Sequence, residues 1–374
     1  MVGAGAALVG TSYGLARFAY GLFAPELRAE FDIESTVSGV IGAGSYVGYC
    51  VAIVFSLVAT PRLGPRRVAV LAGGVATVGL TTVALAPSAL ILAVGILVAG
   101  SSTGIASPPM AAAVARWVEP SGRDRAQTVV NAGTGLGVLL SGPVALVLVA
   151  DWRWAWGAFA TVTAVVTAWV AATVPAQGPA DRARGASTPE REPTPWLVPG
   201  WFTLVAASFL MGLASIAVWT FGRDLIDSRA DAGGTVSAVA WIVLGASGVL
   251  GAWGGDLVER VGLRAAWIAA MLAMGAATVL LALSAGSTAA VLVAAALFGA
   301  SYIALTGFAL IWSTRLYPSR ASFGVGLSFF TIAAGQALGA PVVGWTIGVV
   351  GPVGAFCLWA LISPLGAAVG PRSR

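Results

Sequence analysis

The sequence predicts an all-α membrane protein: twelve transmembrane helices arranged as two pseudo-symmetric six-helix bundles. Three observations lead there. Hydrophobic residues make up 58% of the 374 positions and charged residues only 9%, with a mean hydropathy of +0.91. A soluble domain carries about a quarter charged residues to cover its water-facing surface. The apolar residues fall in runs of roughly 18–25, the length that crosses about 30 Å of hydrocarbon, and unbroken rather than alternating runs mean helices. The third observation is an internal repeat that holds its register through loops as well as helices.

Taken in order, the spans are expected near residues 2–24, 37–59, 67–86, 88–115, 126–149, 154–175, 198–222, 236–254, 265–284, 287–313, 322–345 and 347–369. Merging a weak pair would leave ten or eleven. The connections Ala86-Pro87-Ser88 and Gly286-Ser287 are so short that the helices they join must run antiparallel. Pro87, Pro352 and Pro364 sit near expected helix ends, whereas Pro108, Pro109, Pro143 and Pro341 fall inside spans and should kink them. Trp152, Trp154, Trp156, Trp196 and Trp201 cluster near span ends, as interfacial anchors do. The N-terminal MVGAGAALVG lacks a basic leader, so a cleaved signal peptide is not expected.

Arginine fixes the orientation. Loops after even-numbered spans and the C-terminus hold Arg62, Arg66, Arg67, Arg116, Arg123, Arg125, Arg182, Arg184, Arg191, Arg260, Arg264, Arg315, Arg320, Arg372 and Arg374. The alternate side holds Arg28, Arg153, Arg223 and Arg229, beside the acids Glu26, Glu30, Asp32 and Glu34. The positive-inside rule then places both termini in the cytoplasm of a multi-pass plasma-membrane protein. The net charge of +5 reflects this topology and not nucleic-acid binding. Residues 176–197 form the one long polar stretch, rich in Pro, Arg, Asp and Glu, and read as a cytoplasmic linker. It separates an N-terminal bundle (1–175) from a C-terminal bundle (198–374).

The two halves repeat. Gly14-Leu15-Ala16 recurs as Gly212-Leu213-Ala214, and the same offset maps Glu26 on Asp224, Arg62 on Arg260, Gly64 on Gly262, Pro120 on Pro318, Gly137 on Gly335 and Pro143 on Pro341. Thr36-Val37-Ser38 matches Thr235-Val236-Ser237 one residue out of step. Parallel repeats of this kind enclose a site at mid-membrane.

Absences exclude several chemistries. The chain has no His and no Lys. It therefore lacks a Walker A loop, a Schiff-base lysine, a zinc-protease helix and a Ser-His-Asp triad. No cofactor, metal or enzymatic activity is expected. Cys50 and Cys357 lie inside apolar runs and read as small apolar fillers. The stretch GAGSYVG at 42–48 imitates a dinucleotide loop but has no strand before it, so its small residues serve close helix approach.

The loop after span eight, GDLVERVGLR (255–264), and its counterpart ATPRLGPRRV (59–68) resemble the loop signature of the major facilitator superfamily. The resemblance covers the whole chain and implies its fold of two six-helix bundles and its function of secondary transport. It implies a gating or coupling role for Asp256, Glu259, Arg260 and Gly262, and in the first copy for Arg62, Gly64 and Arg66. There Pro61 replaces the acid and Leu57 the first glycine, and Arg66 and Arg67 read equally as a basic stop that enforces topology. Span five carries AGTGLGVLLSGPVA, similar to the glycine-proline signature of export members, with Gly137 one residue off its spacing. The arginine characteristic of span four in proton-coupled drug exporters is missing, its place taken by Ile96 or a neighbour.

Arg17 carries the functional expectation. A guanidinium inside a span costs several kcal/mol unless it faces water, a partner or a ligand. Tyr13, Arg17 and Tyr20 share one face at i, i+4 and i+7. In the family's fold this span lines the central cavity, so Arg17 is expected to bind an anionic group, with tyrosines adding hydrogen bonds. The alternative is that Arg17 snorkels outward or braces helix-end carbonyls. The repeat sets Ser215 opposite it, and a single positive charge favours a monoanion. Further substrate-binding candidates are Tyr46, Tyr49, Asn131, Trp219, Trp241, Tyr302 and Gln336; Glu26 and Asp224 are candidates for proton coupling or plain interface charges. The expected function is transport of a small organic anion by a protein that is a monomer in the bilayer. Proton-coupled efflux of drugs or metabolites is the alternative on the same fold, and a non-transporting signalling or scaffold role the alternative of another class.

Overall fold

The structure is a computed structural model that describes residues 1–33, 35–148, 151–177, 195–228, 234–284 and 286–371. Among them every regular element is helical. Ten helical segments are long and apolar enough to cross a membrane. Span one, built of three helical pieces, stands beside those ten, and the last of the ten holds spans eleven and twelve run together, so the chain carries the twelve expected spans.

Span one consists of α1 (Val2–Val9), a π-helical stretch (Gly10–Phe18) and α2 (Ala19–Phe31). Spans two to seven are α3 (Ser35–Leu63), α4 (Pro65–Ala84), α5 (Ala89–Trp117), α6 (Arg123–Leu148), α7 (Trp152–Thr173) and α8 (Trp201–Asp227). Span eight is α9 (Gly234–Gly248), a 3-10 turn (Val249–Trp253) and α10 (Gly254–Val261). Spans nine and ten are α11 (Leu263–Leu283) and α12 (Thr288–Leu316). The long α13 (Ala321–Ala360) is broken at Gly351 (φ 76°, ψ 166°), which separates span eleven from span twelve, and α14 (Ile362–Ala368) completes the latter.

Span one runs past its expected end at 24 to Phe31, because Glu26, Leu27, Arg28, Ala29 and Glu30 are sound helix formers although mostly polar. Hydropathy marks where a helix leaves the hydrocarbon and not where its hydrogen bonding stops. Asp32 ends it in the left-handed conformation (φ 51°, ψ 47°). Most of the expected linker lies outside the described residues, as do Glu34 and Arg182, Arg184, Arg191, Arg229, Arg372 and Arg374.

The duplication recurs in the backbone. Gly64 and Gly262, related by the repeat, both open the next helix at nearly the same angles, φ 86°, ψ 154° and φ 83°, ψ 152°. Only glycine adopts that region without strain, so the one-residue turn demands it at both sites. A Cβ on Gly14 would collide with the backbone of Gly137, and one on Gly212 with that of Ile332 and Gly335. Spans one and five therefore meet as spans seven and eleven do.

The halves join along a second glycine seam. Gly135 lies against the backbone of Gly248 and Val249, and Gly245 against that of Leu139. The glycine-rich face of span five thus packs on span one through Gly133 and Gly137 and on span eight through Gly135 and Gly142. Helix-pair packing of the 42–48 stretch is likewise close: Gly48 faces Leu97 and Ser101 of span four.

The tryptophans correct one expectation. Trp154 and Trp196 are exposed, but Trp152 and Trp156 are buried. The indole of Trp152 and the guanidinium of Arg153 both donate to the carboxylate of Glu30. Arg153 also reaches the Ala86 carbonyl at 3.0 Å. These residues fasten span six to the ends of spans one and three.

Candidate functional site

A small central cavity lies between spans one, two, five, ten and eleven. Its polar wall comes from Tyr13 and Arg17 of span one, Tyr49 of span two, Asn131 and Thr134 of span five, and Tyr302, Thr306 and Gln336 of spans ten and eleven. Its apolar wall is Ile303, Phe329, Ile332 and Ala333.

Arg17 occupies the polar end. Its Nη2 donates to Oε1 of Gln336 at 3.3 Å. The guanidinium carbon lies 4.4 Å from the ring centroid of Tyr46, 5.0 Å from that of Tyr49 and 5.3 Å from that of Phe18. Ring faces stabilise a desolvated cation by up to about 2 kcal/mol each but leave its N–H edges free. Nε is buried and has no hydrogen-bond partner. Among the described residues no acid lines the cavity, and Arg17 forms no ion pair.

Gln336 organises this end. Its Nε2 donates to Tyr302 Oη at 3.1 Å and Ser215 Oγ at 3.3 Å. A guanidinium has only donors, so the amide must turn its oxygen to Arg17 and its nitrogen to the two hydroxyls. The repeat partners Arg17 and Ser215 thereby meet on one side chain. Tyr13 Oη pairs with Ser107 Oγ at 3.0 Å and with Tyr49 Oη at 3.4 Å. Asn131 donates to the Ile303 carbonyl at 2.9 Å and to Thr306 Oγ1 at 2.8 Å. Its donors are engaged in tying span five to span ten, and its carbonyl oxygen is what it offers the cavity.

The remaining candidates lie elsewhere. Tyr20 is not among the cavity-lining residues. The i, i+4, i+7 spacing assumes an α-helix, and the π-helical stretch between Gly10 and Phe18 takes more residues per turn and rotates the residues beyond it out of that register. Trp219 and Trp241 form a layer beside the cavity: Trp219 stacks on Phe18 at 4.2 Å and meets Tyr302, Phe298 and Trp241 edge-on. Ser107, Thr134, Thr306 and Phe329 belong to the site and were not expected there. Small hydroxyl residues in a span usually bond their own helix, as Thr306 does to Ile303, so their type carries no signal.

Both faces of the cavity are bridged between the halves. On the arginine-rich face, Asp124 of span five pairs with Arg315 of span ten, and Arg125 approaches Asp256 of span eight at 3.9 Å. Thr128 Oγ1 is 3.0 Å from the Ala252 carbonyl and accepts from the Gly255 N–H at 3.3 Å. Ser322 donates to the Pro108 carbonyl at 3.2 Å. The loop signature is only partly represented: Glu259 and Arg260 are exposed and make no ion pair among the described residues, and the same holds for Arg62 and for half-buried Arg66. Within that loop it is Asp256 that meets the other half, through Arg125 of span five.

On the opposite face, Arg223 of span seven donates to the carbonyls of Gly21, at 3.2 Å, and Leu22, and its Nε reaches Asp227 at 3.3 Å. Pro25 has no N–H to offer Gly21, so that carbonyl lacks its α-helical donor and is available to Arg223. Glu26 Oε2 is buried without a partner, and Asp224 is exposed. Cys50 and Cys357 are half-buried and free.

Residues 9–369 match the family described as "Uncharacterised MFS-type transporter YbfB". The chain is 26% identical over 317 residues to the "Transcription regulatory protein OpdE" of Pseudomonas aeruginosa, covering 83% of this chain and 78% of that protein. Its fold resembles the human organic anion transporter MFSD10 (TETRAN), with a TM-score of 0.78 at 16% identity over 98% of this chain and 99% of the other. It also resembles the transporter FucP in its outward conformation, with a TM-score of 0.69 at 13% identity over 100% and 99%. The twelve spans, the duplicated glycine contacts and a family match along nearly the whole sequence agree: the chain belongs to the MFS-type transporter family of the major facilitator superfamily.

Proposed function

We propose that this transporter carries a small organic monoanion by alternating access, with Arg17 as the anchor for the anionic group. The observation that carries the reading is the state of Arg17: a guanidinium in a cavity without an acid, held by ring faces and one neutral amide, with a buried N–H left unpaired. A buried charge of this kind is costly unless something pairs with it, and a carboxylate or sulfonate supplies the pair. Tyr13, Tyr49, Tyr302 and Gln336 surround the head, and Phe329, Ile332 and Ala333 offer a surface for an apolar body. The fold shared with an organic anion transporter is in keeping with this. The excess of arginine on one face supports cytoplasmic termini in a plasma-membrane protein, with residues 176–197 linking bundles 1–175 and 198–374.

Proton-coupled drug efflux is less favoured, since no described cavity residue is a carboxylate that would attract a cationic drug. A regulatory role is the second reading, prompted by the name of the Pseudomonas relative. Flux per folded molecule in proteoliposomes decides among them. Arg17→Lys keeps the charge but loses the planar fork and should cut flux sharply, and Arg17→Ala should abolish it. Undiminished flux in a stable Arg17→Ala protein would refute the anion site, and a wild-type protein without solute flux would favour the regulatory reading.

A further inference from the structure

We infer that the protein is an anion exchanger: each crossing of the cavity, in either direction, requires a bound monoanion, so one anion enters as another leaves. The inference rests on the Arg17 reading and concerns what that residue does when the site is unloaded. With a monoanion on Arg17 the moving unit is neutral. Without one, the guanidinium must pass through the closed state bare, at a depth where an unpaired charge is strongly disfavoured. An acid facing Arg17 could neutralise it internally, but the groups around it are Tyr13 on its own span, Tyr46 and Tyr49 on span two, Tyr302 on span ten and Gln336 on span eleven. None is an acid. Glu26 is nine residues along span one, about 13 Å of helical rise, and Asp224 stands at the equivalent level of span seven. Neither reaches the guanidinium.

The position that an internal counter-ion would hold is taken by a neutral amide. Gln336 Oε1 lies 3.3 Å from Arg17 Nη2 and is its one side-chain acceptor among the described residues. A glutamate there would pair with Arg17 whenever the substrate left, and would let the unloaded carrier return. The glutamine permits no such pairing. The cycle then balances with one monoanion inward, one monoanion outward, no net charge moved and no proton taken up.

Purified protein in liposomes tests this, with labelled gluconate and benzenesulfonate as probes, because both stay charged and do not leak across bilayers as neutral acids. Uptake into liposomes preloaded with the same anion should exceed uptake into empty ones by about tenfold or more. It should ignore both an imposed membrane potential and a pH gradient. Gln336→Glu, isosteric with the native side chain, should bind the anions more weakly yet bring net uptake close to exchange. Equal uptake into empty and preloaded liposomes, acceleration by a pH gradient, or a folded Gln336→Glu protein with an unchanged ratio would each overturn exchange while leaving the anion site standing. No flux of either anion under any loading would remove the Arg17 reading itself.

Discussion

At the scale of the residue, Gln336 does more than its position in a long apolar helix suggests. It satisfies a cation, a phenol and a serine hydroxyl at once, each from a different span. Gln336→Leu fills the same space without those bonds and takes the amide partner from buried Arg17 and Tyr302, while Ser215 keeps its bond to the Gly212 carbonyl at 3.0 Å. The expected loss of stability is about 1–3 kcal/mol, read as an earlier thermal transition in detergent. Combined with Tyr302→Phe the loss should fall short of the sum, since both changes break one bond. Arg17 was legible in the sequence because a charge so far inside an apolar run needs a reason. Tyr13, Tyr49 and Gln336 were legible as polar side chains on cavity-facing spans. Ser107 and Thr134 were not, since a hydroxyl gives the same sequence signal whether it bonds its own helix or a neighbour.

At the scale of the element, glycine decides which helices touch and how closely. Gly137 sits with its Cα against Gly10 and Gly14, and Gly335 against Gly212 and the Phe209 carbonyl. Gly74, in span three, has open space where a Cβ would go. Gly137→Ala and Gly335→Ala should each force the helices apart at a cost of about 1–3 kcal/mol or more. Gly74→Ala should be neutral or stabilise by about 0.5–1 kcal/mol through helix propensity. Thermal transitions and monodisperse yield distinguish the three proteins, and equal loss in all would remove the packing argument. The repeat made the paired glycines visible beforehand. The π-helical stretch was not visible, because an apolar run reads the same whichever helix type its backbone takes. The 3-10 turn inside span eight was missed for a like reason: the run GVLGAWGG is as apolar as a continuous helix would be.

At the scale of the whole molecule, the two faces of the cavity are held shut by different chemistry. One face uses carboxylate–guanidinium pairs between Asp124 and Arg315 and between Arg125 and Asp256, with exposure that weakens the second pair in particular. The other uses Arg223 on backbone carbonyls of span one, beside the stack of Phe18 on Trp219. Alternating access makes these latches compete, since opening one face must accompany closure of the other. Releasing either latch should therefore move the population, and in opposite directions. Arg223→Ala should open the face it guards, and Asp124→Asn the arginine-rich face. Each shift should amount to about 1–3 kcal/mol, or roughly 5–150-fold in the ratio of states. Single cysteines placed along each vestibule, in a protein with Cys50 and Cys357 replaced by serine, would report the populations through their rates of alkylation. The double variant is the informative one. If the latches oppose each other across a single rocking equilibrium, combining Arg223→Ala with Asp124→Asn should bring both rates back towards those of the parent. Rates that rise on both faces together would mean that the halves come apart, and would count against a single rocking motion.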